Sequence, residues 1–147
     1  MEHLKYPERY WQHMLAFPFI ISMLVPLALF DFCVEFYHHI CFPLYGIPLV
    51  PRQEYIKIDR IKLSYLTWLQ KIFCAYCGYA NGLMHYAFTI AGETEKYWCG
   101  IKHQKSGGFK EPPHHKEFLE YGDEVAFRER YGRPAENEER AKDRTAS

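Results

Sequence analysis

The sequence predicts a mainly α-helical protein: an N-terminal membrane-anchoring helix or helical hairpin, a small metal-stabilised helical domain facing the cytoplasm, and a disordered tail. Three observations carry this prediction. A long uncharged apolar run lies near the N-terminus, two short cysteine motifs follow it, and the final residues contain almost no apolar side chains. We therefore divide the chain into a membrane-associated segment (1–50), a helical Cys/His domain (51–131) and a tail (132–147).

The apolar run from Met14 to Phe30 contains seventeen residues and no charge. That length is the lower limit for crossing the hydrocarbon core of a bilayer, and residues 32–50 add further apolar length. Tyr10 and Trp11 precede the run, where an aromatic belt would lie. We predict a span over about residues 12–41, formed as a single helix or as part of a hairpin over 14–50. The alternative is a buried core helix of a soluble protein.

Basic residues and cysteines predict the compartment. The basic residues are concentrated after the apolar run (Arg52, Lys57, Arg60, Lys62) rather than before it (Lys5, Arg9). Because cytoplasmic flanks of membrane helices are enriched in Lys and Arg, we expect the C-terminal domain to lie in the cytoplasm, at the cytoplasmic membrane. Five cysteines cannot all pair within one chain, and their spacing does not match a secreted disulfide framework. Reduced thiols agree with a cytoplasmic location.

The segment from Leu63 to Tyr97 is predicted to form one long helix, or two helices broken near Gly78 to Gly82. The Gly78-x3-Gly82 pair has the spacing of small residues at packed membrane helices. Residues 72–92 carry no Asp, Glu, Lys or Arg, but their Tyr, Asn and His content favours a buried or interfacial helix over a second span. A short surface helix is expected within 116–131. The tail after Gly132 is too polar to offset its ordering entropy, so we expect disorder.

Two cysteine motifs predict a metal site. Cys74-x2-Cys77 and Cys99-x3-His103, with 21 residues between them, offer three thiolates and one imidazole. This is a ligand set that tetrahedral zinc prefers, with iron as the alternative metal. We predict zinc bound by Cys74, Cys77, Cys99 and His103, with His85 or His114 as substitutes for His103. The other interpretations are buried structural cysteines or a redox-active dithiol, and the sequence assigns no role to Cys33 and Cys41.

A second, weaker constellation consists of Asp31, Glu35 and His38. These residues and His39 lie on one helical face, and Glu35-x2-His38 is half of the pattern that helical di-iron proteins use twice. The only second Glu-x2-His, from Glu111 to His114, is interrupted by two prolines that prevent a helix. The alternative is the hydrated face of an amphipathic helix.

Composition and motifs reduce the number of function classes that the sequence supports. Eighteen basic and eighteen acidic residues cancel, so no basic field exists for a nucleic acid. The sequence contains no nucleophile elbow, phosphate-binding glycine loop or kinase signature, which favours a non-enzymatic role. We predict an accessory or scaffold subunit of a larger membrane assembly, in contact with lipid and a protein partner.

Two rival functions stay open from the sequence. One is a membrane-bound iron or zinc metalloenzyme or electron carrier that adds Asp31, Glu35, His38 and His85 to the cysteine cluster. The other is a soluble helical domain with structural cysteines.

Overall fold

The computed structural model describes residues 7–132, which form two compact units, one ending at Ile90 and the other beginning at Ala91. These described residues contain five α-helices: α1 (Tyr10–Ser22), α2 (Leu24–Tyr45), α3 (Arg52–Tyr55), α4 (Trp68–Trp98) and α5 (Glu124–Tyr131). Single 3-10 turns occur at Pro7–Arg9, Asp59–Lys62 and Pro113–Glu117. The described residues contain no β-strand, only an isolated parallel bridge between Ile101 and Leu119. The predicted mainly α class is confirmed.

Two domain boundaries predicted from the sequence can be compared with the described residues. The predicted disordered tail, 132–147, lies outside them except for Gly132. The predicted boundary between residues 50 and 51 lies inside the first unit.

The apolar run forms α1 and α2, which are separated by Met23 alone. Pro26 explains the interruption, because it has no N–H to donate to the Ser22 carbonyl and its ring clashes with that carbonyl. In α2, Pro26 occupies the first turn, where a missing N–H costs nothing. Within the described part of the chain, the stretch Trp11–Tyr45 is the one that is long and apolar enough to cross a membrane, by length and composition.

The C-terminus of α2 lies four residues beyond the predicted end at about Cys41. Pro43 is accommodated inside the last turn, and Gly46 ends the helix with a left-handed φ of 71°. The N–H groups of Gly46 and Ile47 then donate to the carbonyls of Pro43 and Phe42. A glycine at this position is favoured because it adopts positive φ without a Cβ clash.

Helix α4 is continuous through Gly78 and Gly82, so the prediction of one helix rather than two is confirmed, but the helix begins at Trp68 and not at the predicted Leu63. The two glycines make room for an extended segment of the chain itself. A Cβ at Gly78 would lie 2.6 Å from the Lys57 carbonyl oxygen, and one at Gly82 would lie 2.6 Å from that of Tyr55. The predicted packing of this pair against a helix is therefore replaced by packing against the backbone of residues 55–57.

Helices α2 and α4 form the core of the first unit. Its buried apolar side chains are Leu27, Phe42, Leu83, Tyr86 and Ile90. Two hydrogen-bonded pairs between these helices, Tyr79 with Asp31 and Tyr86 with His38, both have a sequence separation of 48. Equal separation means that the helices run in the same direction, so residues 46–67 return along them. We call residues 46–67 the connector.

The second unit contains the end of α4, a loop, a 3-10 turn and α5. The bridge joins the loop to the segment before α5: Lys102 N–H donates to Leu119 O at 2.8 Å, and Leu119 N–H donates to Gly100 O at 2.9 Å. The interior of the second unit is small. The buried residues among 91–132 are two glycines, one histidine and one phenylalanine (Gly92, Gly100, His115, Phe118).

Candidate functional site

A charged network joins α2 to the connector in the first unit. The Arg52 guanidinium donates from both terminal nitrogens to the Asp31 carboxylate, with Nη2 to Oδ2 at 2.7 Å, and from Nη1 to Glu35 Oε1 at 2.7 Å. Bidentate pairing of this kind is among the stronger charge-assisted interactions in proteins. It holds α3, the short helix of the connector, against the polar face of α2.

Two tyrosines of α4 complete the network. Tyr79 donates its hydroxyl to Asp31 at 2.8 Å, and the Arg52 guanidinium lies 5.7 Å from the ring centroid of Tyr86. Burial raises the pKa of the Tyr79 hydroxyl, and the hydrogen bond to Asp31 raises it further. The tyrosine is held in its neutral, donating form.

His38 has both ring nitrogens occupied by hydrogen bonds. The backbone N–H of Val50 donates to His38 Nε2 at 2.9 Å, so Nε2 is the unprotonated nitrogen. In the neutral ring the proton is then on Nδ1, which donates to the Tyr86 hydroxyl oxygen at 3.0 Å. His38 is 1% exposed, so this tautomer is fixed by its two partners rather than by water.

The weaker predicted metal site of Asp31, Glu35 and His38 is brought together, but around a cation of the protein itself. Arg52 lies between the two carboxylates, and His38 has no unshared nitrogen lone pair left. Ligand atoms of Glu35, His38 and His39 do lie within 4.8 Å of one another. A metal ion there would have to displace the Val50 N–H from His38 and compete with Arg52 for Glu35.

The four residues of the predicted zinc site fall in different parts of the chain. Cys74 and Cys77 lie within α4 in the first unit, whereas Cys99 and His103 follow α4 in the second. All 21 residues between Cys77 and Cys99 belong to α4. In residues 7–132, no cysteine belongs to a group of three or more ligand-type residues with ligand atoms within 4.8 Å. The site stays a prediction.

The substitute ligands for His103 also have assigned surroundings. His85 is exposed on α4 in the first unit, where its ring packs edge-on against Tyr55 with centroids 5.0 Å apart. His114 lies in the 3-10 turn of the second unit, and its Nε2 is 2.7 Å from Glu95 Oε2.

Glu95 is the centre of a histidine cluster in the second unit. His115 Nε2 lies 3.1 Å from the other Glu95 oxygen, so two imidazoles donate to one carboxylate. Burial alone would raise the pKa of Glu95, but these hydrogen bonds outweigh it, and the pKa is lowered. His103 completes the group, since ligand atoms of Glu95, His103 and His115 all lie within 4.8 Å of one another.

One glycine and two aromatic rings shape this cluster. A Cβ at Gly92 would lie 3.0 Å from His114 Nδ1, so the glycine lets the 3-10 turn approach α4 closely. Phe118 stacks on His115 with ring centroids 4.7 Å apart, and Phe109 packs edge-on against His103 at 5.5 Å. The cluster thus has a carboxylate and imidazoles on one side and an apolar cover on the other, which suits metal coordination.

Sequence reasoning missed Glu95 and the role of Arg52. The sequence pattern predicts a cytoplasmic flanking charge at Arg52, although two carboxylates beside an apolar run favour pairing with a cation, and Arg52 is the first Arg or Lys after them. Glu95 carries no comparable signal, because it lies in an ordinary polar stretch and its partners follow 19 and 20 residues later.

No protein-family model, curated protein or solved structure matches the chain.

Proposed function

We propose that this protein is a small membrane-anchored helical protein that acts as an accessory or scaffold subunit, with residues 11–45 as its anchor. The observation that carries the proposal is that α2 has one apolar face and one polar face. Six large apolar side chains form one outward stripe, each 45–77% exposed: Val25, Leu29, Phe32, Phe36, Ile40 and Leu44. Exposed apolar surfaces of this continuity are typical of contacts with lipid or with another protein.

The opposite face of α2 supports the same proposal. Asp31, Glu35 and His38 point toward the connector and α4, where they pair with Arg52, Tyr79 and Tyr86. Ionisable residues in membrane helices lie on the protein-facing side and pair with one another. Helix α2 therefore has the polarity expected for a lipid-exposed helix, with charges inside and hydrocarbon side chains outside.

The accessory role is supported by how the polar groups are used. The network of Asp31, Glu35, Arg52 and His38 ties the connector to α2, and its donors and acceptors pair with each other. Such a network stabilises and orients a fold without leaving an evident nucleophile or base for a substrate. We propose that the C-terminal side lies in the cytoplasm, the orientation expected from the excess of Lys and Arg after the apolar run.

Membrane extraction tests the anchor. Washing membranes with alkaline carbonate should leave the protein in the pellet, and release into the supernatant would refute the anchoring. The variant Phe32→Glu, in the outward stripe, should increase the released fraction, since a carboxylate in lipid is costly. Val125→Glu is the matched control, because Val125 is also an exposed apolar side chain and belongs to the second unit.

Two further measurements test orientation and role. In a variant that keeps only Cys99, an exposed cysteine, a membrane-impermeant maleimide should label the protein only after the cells are permeabilised. In mild detergent the protein should migrate within an assembly larger than itself. Labelling of intact cells would reverse the orientation, and migration as a lone chain would remove the accessory role.

A further inference from the structure

We propose that the second unit binds a zinc ion through Glu95, His103 and His115. This inference does not depend on the membrane anchoring. The three residues come from three separate segments: Glu95 from the last turns of α4, His103 from the following loop, and His115 from the 3-10 turn. A single ion bound to all three would cross-link most of the second unit.

The geometry is close to that of a zinc site. Carboxylate and imidazole ligands lie about 2.0–2.2 Å from zinc, so ligand atoms of a tetrahedral site are about 3.4 Å apart. Here they all lie within 4.8 Å. Because the His103 side chain is exposed, its rotation can close the remaining gap without disturbing buried residues. Three protein ligands leave the fourth position to water.

The position of His115 identifies the nitrogen that would bind the ion. This histidine is 1% exposed, and its Nε2 lies 3.1 Å from Glu95 Oε1. That separation is close to the distance between two ligand atoms of a tetrahedral zinc site. An ion bound between them would replace the proton on Nε2, and the neutral ring would then carry its proton on Nδ1.

The size of the interior is the second argument. Among residues 91–132, Phe118 is the only buried apolar side chain, since the other buried residues are His115 and two glycines. Small units with so little buried apolar surface are commonly stabilised by a structural metal or by disulfides. The described cysteines are all free, so the metal is the stabiliser that the residues of this unit provide for.

His114 supports the site from outside the ligand set. Its Nε2 lies 2.7 Å from Glu95 Oε2, which leaves Oε1 on the side of His115. A hydrogen bond to the second oxygen of a carboxylate ligand orients that ligand and tunes its charge. Gly92 allows this position of His114, because a Cβ there would press on the His114 ring.

The test measures zinc bound to the full-length protein in mild detergent, after loading with one equivalent of zinc chloride and desalting. We expect about one zinc per chain. His103→Ala and Glu95→Gln should each weaken zinc affinity by about tenfold or more, measured by competition with a chromophoric chelator. The matched controls are His85→Ala, an exposed histidine of the same long helix, and Cys77→Ser; both should keep the affinity of the natural protein.

Cobalt substitution separates this site from the four-residue cysteine site. Nitrogen and oxygen ligands give cobalt d–d bands without a thiolate charge-transfer band in the near ultraviolet, whereas cysteine ligation gives both. A thiolate band, loss of zinc in Cys77→Ser, or unchanged affinity in both His103→Ala and Glu95→Gln would overturn the proposal.

Hydrogen exchange distinguishes a variant that loses only zinc affinity from one that loses zinc because it unfolds. Zinc should slow amide exchange in residues 91–132 of the natural protein and leave the core amides of α2 unchanged. In His103→Ala without zinc, exchange should match that of the zinc-free natural protein, because His103 is exposed. Equal exchange with and without zinc in the natural protein would overturn the stabilising role.

Discussion

Arg52 and Asp31 form a bidentate ion pair between the connector and α2, across 21 residues of sequence. The same guanidinium reaches Glu35, one helical turn further along α2. A planar fork with several donors can bond two carboxylates at once, which a lysine ammonium cannot do with the same geometry. The pair thus holds the returning chain against α2.

Removing this guanidinium should destabilise the first unit. We expect Arg52→Ala to lower the free energy of unfolding by about 2 kcal/mol, between the small effect of exposed pairs and the 3–5 kcal/mol of fully buried ones. The intermediate value follows from side-chain exposures of 35% for Arg52 and 15% for Asp31. Denaturant unfolding followed by circular dichroism measures it. Arg60→Ala is the control, because Arg60 is exposed, and equal midpoints for the two variants would contradict the prediction.

The contact of Gly82 with the connector backbone gives a second prediction. A Cβ at Gly82 would lie 2.6 Å from the Tyr55 carbonyl oxygen and 2.9 Å from Ile56 Cα, and backbone atoms cannot rotate away. We expect Gly82→Ala to lower the free energy of unfolding by about 1–3 kcal/mol, even though alanine favours helix.

The matched control for Gly82→Ala is Gly107→Ala. Gly107 has no atom within 4 Å of a Cβ position and does not require a positive φ. Its replacement should leave the midpoint of thermal unfolding within a degree or two. If Gly82→Ala proves as stable as the natural protein, the connector does not pack on α4 at this point.

Sequence patterns predicted where the helices of this protein lie better than they predicted which residues pack against them. The apolar run, the absence of proline from 68 to 98 and the glycine after α2 are local signals, and they account for α1, α2 and α4. Periodicity also placed Asp31, Glu35 and His38 on one face. It could not tell what covers that face, because Arg52 and Tyr79 reach it only after the chain has turned back.

The candidate site of the second unit was also only partly predicted from the sequence. His103 and His114 were singled out by residue type, but Glu95 was not, since charged residues are ordinary at the end of a long helix. Only the bridge between Ile101 and Leu119 and the space left by Gly92 bring the loop and the 3-10 turn to α4. These are contacts across 18 or more residues, which spacing along the sequence does not encode.

Tyr79 predicts an alkaline dependence of stability. Its pKa in the folded protein is raised above the ordinary value of about 10, first by burial and then by its hydrogen bond to Asp31. The neutral phenol is thus favoured by folding, and its contribution is complete below pH of about 10 and is lost as pH rises through the folded pKa. The stability difference between the natural protein and Tyr79→Phe should shrink over that range.

The measurement for Tyr79 is denaturant unfolding at a series of alkaline pH values. Tyr65→Phe serves as the control, because Tyr65 is 72% exposed, and its difference from the natural protein should stay constant across the series. A Tyr79→Phe difference that is equally constant would show that the hydrogen bond to Asp31 does not distinguish the protonated form.

The hydrogen bonds of His38 predict one tautomer. Since the Val50 N–H can only donate, His38 Nε2 must accept, and the ring proton lies on Nδ1 toward Tyr86. Nitrogen-15 NMR of protein labelled in histidine should show one buried ring with a protonated Nδ1 and an unprotonated Nε2. In Tyr86→Phe the Nδ1 proton loses its acceptor, so this resonance should shift and the free energy of unfolding should fall by about 1–3 kcal/mol. A protonated Nε2 in the natural protein would mean that the Val50 amide bonds elsewhere and that the connector does not close on α2 as described.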